Sequence, residues 1–163
     1  MNAKDALNSA ADLSLFIVAK YIGDLSDAEL MTRPAPGCNH LAWQLGHVIS
    51  SNAKLLDAIC PGNAAALPEE FGEHHAKENR DSNDVSQFCT RDQYLELLTE
   101  MRAATRSALA ALPDEELEKP SPEWLRPRFP RVLDVFTLIG AHPLMHAGQF
   151  VPLRRAAGKP VVI

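Results

Sequence analysis

Helical periodicity, which recurs in four long segments, is the feature that most constrains the fold of this chain. Apolar residues return at steps of three and four, as they do on one face of an amphipathic helix. The segments are residues 2–31, 40–59, 91–112 and 131–157. Strand signals are weak, because no run of alternating β-branched residues stands between turn residues. The sequence therefore predicts an all-α protein, and four long amphipathic helices predict a four-helix bundle.

The connections between the predicted helices differ in length. Residues 33–39 (RPAPGCN) predict a tight turn, because they contain proline and glycine. Residues 61–89 form a connection with room for a short helix, much longer than the roughly 2 to 8 residues usual in bundles. Residues 112–130 contain several prolines and should be irregular. Long crossovers of this kind allow neighbouring helices of a bundle to run parallel.

Length and charge limit the domain count and the class of partner. The 163 residues predict one domain over 1–163. The net charge of −5 argues against nucleic acid as a partner, because neutralising phosphates requires a basic surface. No apolar run approaches the roughly 18 residues that span a bilayer, so no membrane partner is expected.

The compartment is predicted from the N-terminus and the cysteines. The N-terminal residues lack the basic and then apolar pattern of a secretory signal. The three cysteines, Cys38, Cys60 and Cys89, are odd in number and form no CxxC motif. That usage favours a reducing compartment, so we expect a cytoplasmic protein.

Two histidines near the C-terminus, His142 and His146, are candidate metal ligands. Residues four apart share one face of a helix, and two imidazoles on one face can hold a metal. Both continue the apolar stripe of Val135 and Ile139. One such histidine would usually be a core residue, but two buried rings need partners for four nitrogens. Spacing alone leaves a metal site and a core segment equally plausible.

A metal would need a third ligand from another helix, because catalytic zinc sites usually have three protein ligands and one open position. His47 in the second predicted helix is the best candidate. On an ideal helical wheel, however, His47 lies beside Ser51 and Lys54, on an arc that looks polar and solvated. The wheel alone therefore does not bring His47 to the other two histidines.

Pro143 stands between the two candidate ligands of the fourth predicted helix. It lacks the N–H that would bond the carbonyl of Ile139, and it disfavours helical angles at His142. Either the helix is kinked and still carries both ligands, or a new helix begins at Pro143 and leaves His142 outside it. Pro152 raises the same question further along.

Other polar residues have two interpretations each. In the acidic stretch FGEHHAKENRD, Glu73 or His75 could act on a substrate from a lid, but a solvated loop is the favoured interpretation for this segment, including His74. His40 is expected to be exposed at the start of its helix.

Three side chains after the histidine pair are similarly ambiguous. Gln149 is a candidate hydrogen-bond partner for a ligand imidazole, or it caps a kinked turn. Arg154 and Arg155 could bind an anionic group, but a complement to the helix dipole is the favoured interpretation.

The histidine motifs together resemble those of the DinB/YfiT-like family of proposed metalloenzymes. WQLGHVISSNAKLL and the later HPLMHAGQFVPLRRAAGKP match its Gly-His on one helix and its His-x-x-x-His-x-Gly-Gln on the last. LSDAELMTRPAPGCNHLAWQLGH echoes its opening pattern, so the resemblance covers nearly the whole chain. The resemblance implies an unusual connection order and a homodimer. It also implies a divalent metal, zinc or nickel, held by His47, His142 and His146.

Such a site suits more than one reaction. A divalent ion with neutral ligands is a good Lewis acid for hydrolysis, and it could equally bind a low-molecular-weight thiol for transfer. Pro143 follows His142, so there is no HExxH and no adjacent glutamate, and no catalytic acid–base residue can be named. We therefore expect a metal-dependent hydrolase or thiol-dependent transferase acting on a small molecule. The alternative is a metal-free or degenerate dimeric bundle that serves as a binding or structural module.

Overall fold

The computed structural model describes residues 2–161. These residues form six α-helices and no strand, the helices being α1 (Ala3–Ile22), α2 (Asp27–Leu30), α3 (Leu41–Ile59), α4 (Phe71–His74), α5 (Arg91–Ala111) and α6 (Val132–Ala156). The four long helices, α1, α3, α5 and α6, correspond to the four periodic segments, so the all-α prediction is confirmed. None of the described helices is long and apolar enough to cross a membrane.

Capping residues set where the helices begin. Ser26 starts α2 by accepting from the backbone N–H of Glu29, whose side chain accepts in return, and Gly23 ends α1. The prediction of one continuous helix over this segment is therefore wrong, because a second start signal lies inside it. Thr90 caps α5 through the same reciprocal pair with Gln93, as predicted.

The order of the helices around the bundle is not sequential. α1 packs against α5 and α6, and α3 packs against the same two helices, so α1 and α3 occupy opposite corners. α1 and α6 run parallel. Ser14 contacts the carbonyl of Gly140, and further along both helices the carbonyl of Tyr21 contacts Arg154. Neighbouring helices that run parallel require long crossover connections in the chain, and the lengths of the connections predicted such crossovers.

α3 and α5 form the other parallel pair. α3 runs antiparallel to α6, since Asn52 contacts Ile139 while the earlier Gln44 contacts the later His146. α5 runs antiparallel to α1. Arg91, at the start of α5, contacts Gly23 and Leu25 just after the end of α1, whereas the later Arg102 contacts the earlier Asn8 and Asp12. The structure is thus a four-helix bundle with long crossover connections.

The buried apolar side chains form two clusters along the bundle. One cluster holds the first half of α3 and the last part of α6, including Leu45, Ile49 and Phe150. The other holds the second half of α3 and the first part of α6, including Leu56 and Ile139.

The connection between α3 and α5 folds back over α3. The indole Nε1–H of Trp43 donates to the carbonyl of Ala76 at 3.1 Å. His40 accepts from the backbone N–H of Trp43 through Nδ1, and its Nε2 contacts the carbonyl of Ser82 at 3.1 Å. His40 is fully buried. The expectation that His40 is exposed is therefore wrong, because the connection covers it.

Arg154 joins the end of α6 to the end of α1. Its guanidinium pairs with both carboxylate oxygens of Asp24 at 2.6 and 3.1 Å and donates to the carbonyls of Tyr21 and Pro160 at 2.6 and 2.8 Å. The side chain is 1% exposed. Arg154 is therefore an internal anchor and cannot reach a substrate, whereas Arg155 is exposed.

We expect Asp24→Asn to lower the stability of the protein in a pH-dependent way. Hydrogen bonds from Arg154 lower the pKa of Asp24, so the ion pair stabilises the fold above the unfolded pKa of about 3.9 and this contribution is lost as pH falls through the folded value. Asp24 is half exposed, so the loss at pH 7 should be about 1 kcal/mol or less. Urea unfolding of both proteins from pH 7 to pH 3 measures it, and a difference that does not shrink below pH 4 contradicts it.

Candidate metal centre

α6 continues without a break through Pro143 and Pro152. The possibility that a new helix begins at Pro143 is therefore wrong, and His142 and His146 remain on one face of a single helix. The carbonyl of Ile139, which Pro143 leaves without a backbone donor, accepts instead from the side-chain amide of Asn52 at 3.1 Å.

Three histidines converge between α3 and α6. The ring centroids of His142 and His146 lie 5.0 Å apart, and the ring of His47 lies 5.5 and 5.6 Å from them. One nitrogen of each ring lies within 4.8 Å of the other two, so each side chain offers one ligand atom toward a common position. The structure thus brings together the three residues that the sequence singled out, and they could hold a divalent metal.

His47 points inward because its side of α3 is covered. Its ring stacks on the indole of Trp43, with centroids 4.9 Å apart and planes 6° apart. That indole is held in turn by the carbonyl of Ala76 in the long connection. The solvated arc that the helical wheel predicts for His47 is thus only partly right: His47 is half-buried, because a connection that returns across the helix, which the wheel does not include, covers one side of its ring.

A buried amide orients His146. The Oε1 atom of Gln44 lies 3.0 Å from Nδ1 of His146, and the Nε2 amide of Gln44 donates to the carbonyl of Asn39 at 2.9 Å. A carbonyl only accepts, so the NH₂ group of Gln44 must face Asn39 and its oxygen must face the imidazole. Nδ1 of His146 then carries the hydrogen, which leaves the lone pair on Nε2 for a metal.

His142 meets a second amide. The Oδ1 atom of Asn52 lies 3.4 Å from Nδ1 of His142. Sequence reasoning missed Gln44 and Asn52, although one signal was present: Asn52 stands on the apolar stripe of α3, between Val48 and Leu55, where a polar residue is unexpected. Gln149, the predicted partner, is exposed.

The surroundings of the three imidazoles favour their neutral forms. Burial lowers the pKa of His142 and of His146 to about 4, with smaller contributions from neighbouring histidines. Burial also lowers the pKa of His47, and the charges of Lys77 and Lys54 lower it further. Neutral imidazole is the form that binds metal, so the metal does not have to displace protons from these rings at pH 7.

His75 is a core residue. Its Nδ1 contacts the carbonyl of Phe71 at 2.7 Å, its Nε2 contacts the hydroxyl of Tyr94 at 2.8 Å, and the residue is 1% exposed. The solvated-loop interpretation is therefore wrong for His75, and both nitrogens are already engaged. Glu73, the other candidate from this segment, is exposed.

Gly46 allows the long connection to reach α3. A Cβ atom at Gly46 would overlap Cδ2, Nε2 and Cγ of the His75 ring. The Gly-His pair in WQLGHVIS thus combines two requirements, because Gly46 admits His75 and the next residue is the candidate ligand His47. Sequence reasoning used Gly46 only as part of a motif and missed this packing role.

Comparisons with other proteins identify the family and the fold of this chain. The sequence profile of the DinB superfamily matches residues 17–150, a range that includes all three histidines. A conserved protein from Enterococcus faecalis has a solved structure with a TM-score of 0.71 and 18% identity, covering 98% of this chain and 99% of that one.

A second solved structure is that of YfiT from Bacillus subtilis, described as "a probable metal-dependent hydrolase with an unusual four-helix bundle topology". It has a TM-score of 0.67 and 16% identity, and the match covers 96% of this chain and 89% of that one. Identities this low show the shared fold alone. No curated protein matches the chain. The match to the family profile extends over most of the sequence, so this protein belongs to the DinB superfamily.

Proposed function

We propose that this protein is a divalent-metal-dependent enzyme whose metal is held by His47, His142 and His146. The observation that carries the proposal is the convergence of three imidazoles from two helices on one space. Histidines that served only as core residues would have both ring nitrogens engaged, as His75 does. Among the residues that the structure describes, Nε2 of His142 and of His146 instead has no hydrogen-bond partner.

Solvent reaches part of the histidine cluster. In the described residues, no buried side-chain nitrogen or oxygen lacks a hydrogen-bond partner. The Nε2 atoms of His142 and His146 make no hydrogen bond with those residues, so solvent must reach them. His47 and His146 are both half-buried, which agrees with a site that a metal and a small substrate can enter.

The donor set fits zinc best. Three neutral imidazoles and an open position are typical of catalytic zinc sites, and imidazole also suits nickel. When bound, the ion would supply Lewis-acid chemistry. The protein's own contribution is to hold the rings, with Trp43 fixing the plane of His47 and Gln44 fixing that of His146.

We propose hydrolysis of a small molecule as the reaction. The support is the description of YfiT, which shares the fold. Transfer to a low-molecular-weight thiol is the other candidate reaction, in which the same ion would bind the thiol. The two reactions can be distinguished by incubating the metal-loaded protein with activated esters and amides, with and without a thiol: a hydrolase turns over without the thiol, and a transferase requires it.

Purified protein should bind one divalent ion per chain. We expect metal-stripped protein to take up one equivalent of Zn²⁺ or Ni²⁺ in a titration against a chromophoric chelator, and bound metal to raise the unfolding temperature because it binds only the folded state. His74→Ala is the matched control, since it removes a histidine outside the three-histidine cluster and should leave the stoichiometry unchanged. Absence of stoichiometric binding would favour a metal-free bundle and overturn the proposal.

A further inference from the structure

Pro143 leaves one carbonyl of α6 free. An α-helix bonds the carbonyl of each residue to the N–H four residues later, and Pro143 has no N–H to give to Ile139. The donor comes instead from α3, where Nδ2 of Asn52 lies 3.1 Å from that carbonyl. Asn52 is 6% exposed and Ile139 is 4% exposed, so this bond is shielded from water.

This bond decides which way the amide of Asn52 points. The carbonyl of Ile139 only accepts, so the NH₂ group must face it and Oδ1 must face His142. Oδ1 lies 3.4 Å from Nδ1 of His142, at the long end of hydrogen-bonding distance. An amide oxygen also only accepts, so the contact is attractive only when Nδ1 of the ring carries a hydrogen. The neutral ring then has its lone pair on Nε2.

We propose that Asn52 is a positioning residue for His142, held in orientation by the carbonyl that Pro143 leaves free. The amide selects the Nδ1–H tautomer of His142 and so presents Nε2 to the metal. That Nε2 binds a metal rests on the proposed function, whereas the Nδ1–H tautomer of His142 can be observed in the metal-free protein. Proline, normally a disruption inside a helix, here creates the acceptor that orients a ligand on the same helix.

The second ligand of α6 has a matching arrangement without a proline. Gln44 contacts Nδ1 of His146 at 3.0 Å, and its NH₂ group donates to the carbonyl of Asn39 at 2.9 Å. Two ligands on α6 are thus each met by an α3 amide whose NH₂ group is anchored on a backbone carbonyl. Because the two amides are independent, His146 serves as an internal reference in any variant of Asn52.

The tautomers can be read by two-bond ¹H–¹⁵N correlation spectra of the metal-free protein at pH 7. We expect both His142 and His146 to carry the hydrogen on Nδ1. In Asn52→Leu, His142 should lose this preference and His146 should keep it. Affinity for Zn²⁺, measured by chelator competition, should fall about 10- to 100-fold, as for other outer hydrogen-bond partners of metal ligands.

A double variant separates positioning from stability. Asn52→Leu removes the donor to Ile139 and should lower the unfolding temperature, whereas Asn52→Leu with Pro143→Ala supplies a backbone N–H to the same carbonyl. We expect the double variant to recover stability but neither the His142 tautomer nor the metal affinity. Recovery of wild-type affinity, or a wild-type His142 with its hydrogen on Nε2, would overturn the proposal. Tautomers that shift as expected in a protein that binds no metal would refute the metal-dependent function and leave the positioning role intact.

Discussion

Replacing His146 by alanine should abolish tight metal binding while the bundle still folds. The variant removes one of the three proposed ligands. Its loss of metal affinity should therefore be larger than the loss of about 10- to 100-fold expected when a hydrogen-bond partner of a ligand is removed. Wild-type protein at a free metal concentration 100 times Kd gains about 2.7 kcal/mol of stability from binding, and the variant should lose this gain. In a chain of this length such a loss corresponds to a shift of roughly 5 to 11 °C in the unfolding temperature.

The measurement is thermal unfolding with and without Zn²⁺, together with chelator competition. Without metal the variant should be about 1 to 3 kcal/mol less stable than the wild type, because the change leaves the buried Oε1 of Gln44 without its imidazole partner. His74→Ala, a histidine variant outside the cluster, should keep the full metal-dependent shift. If His146→Ala kept that shift as well, the three-histidine assignment would be wrong.

The sequence predicted those parts of the structure that depend on local periodicity. The amphipathic stripes placed α3, α5 and α6 to within one residue at each end, and the spacing of His142 and His146 correctly predicted that both lie on one face of α6. Thr90 was recognised as a cap because capping needs only a hydroxyl at a helix start. The break between α1 and α2 was missed because the apolar stripe continued across it.

The parts that the sequence did not predict depend on residues distant along the chain. The helical wheel predicts a solvated His47 because its arc of α3 is polar, yet the connection after α3 leaves His47 half-buried by holding Trp43 against its ring through Ala76. The sequence leaves open whether α6 continues through Pro143, because the side chain that bonds the freed carbonyl, Asn52, belongs to another helix. His75 seemed to be a loop residue, since neither of its partners could be identified from local pattern.

Gly46→Ala should destabilise the protein, although alanine is the better helix former. The new Cβ would overlap the ring of His75, and that ring cannot move aside without breaking its hydrogen bonds to Phe71 and Tyr94. Overpacking of a core usually costs about 1 to 3 kcal/mol, and each lost hydrogen bond adds about 1 kcal/mol. Helix propensity returns at most about 1 kcal/mol, so we expect a net loss of about 2 to 4 kcal/mol. Urea unfolding of the metal-free protein measures this loss without a contribution from the metal site.

Gly148→Ala is the matched control, because it makes the same change inside α6 where a built Cβ meets nothing within 4 Å. It should leave the protein equally stable or stabilise it by up to about 1 kcal/mol. The double variant Gly46→Ala with His75→Ala lacks the overlapping ring. It should therefore lose less stability than the sum of the losses in the two single variants. A Gly46→Ala protein as stable as Gly148→Ala would mean that the connection does not press against α3 at this point. The covered position of His47, one residue further along α3, would then lose its explanation, because the same connection holds Trp43 against its ring.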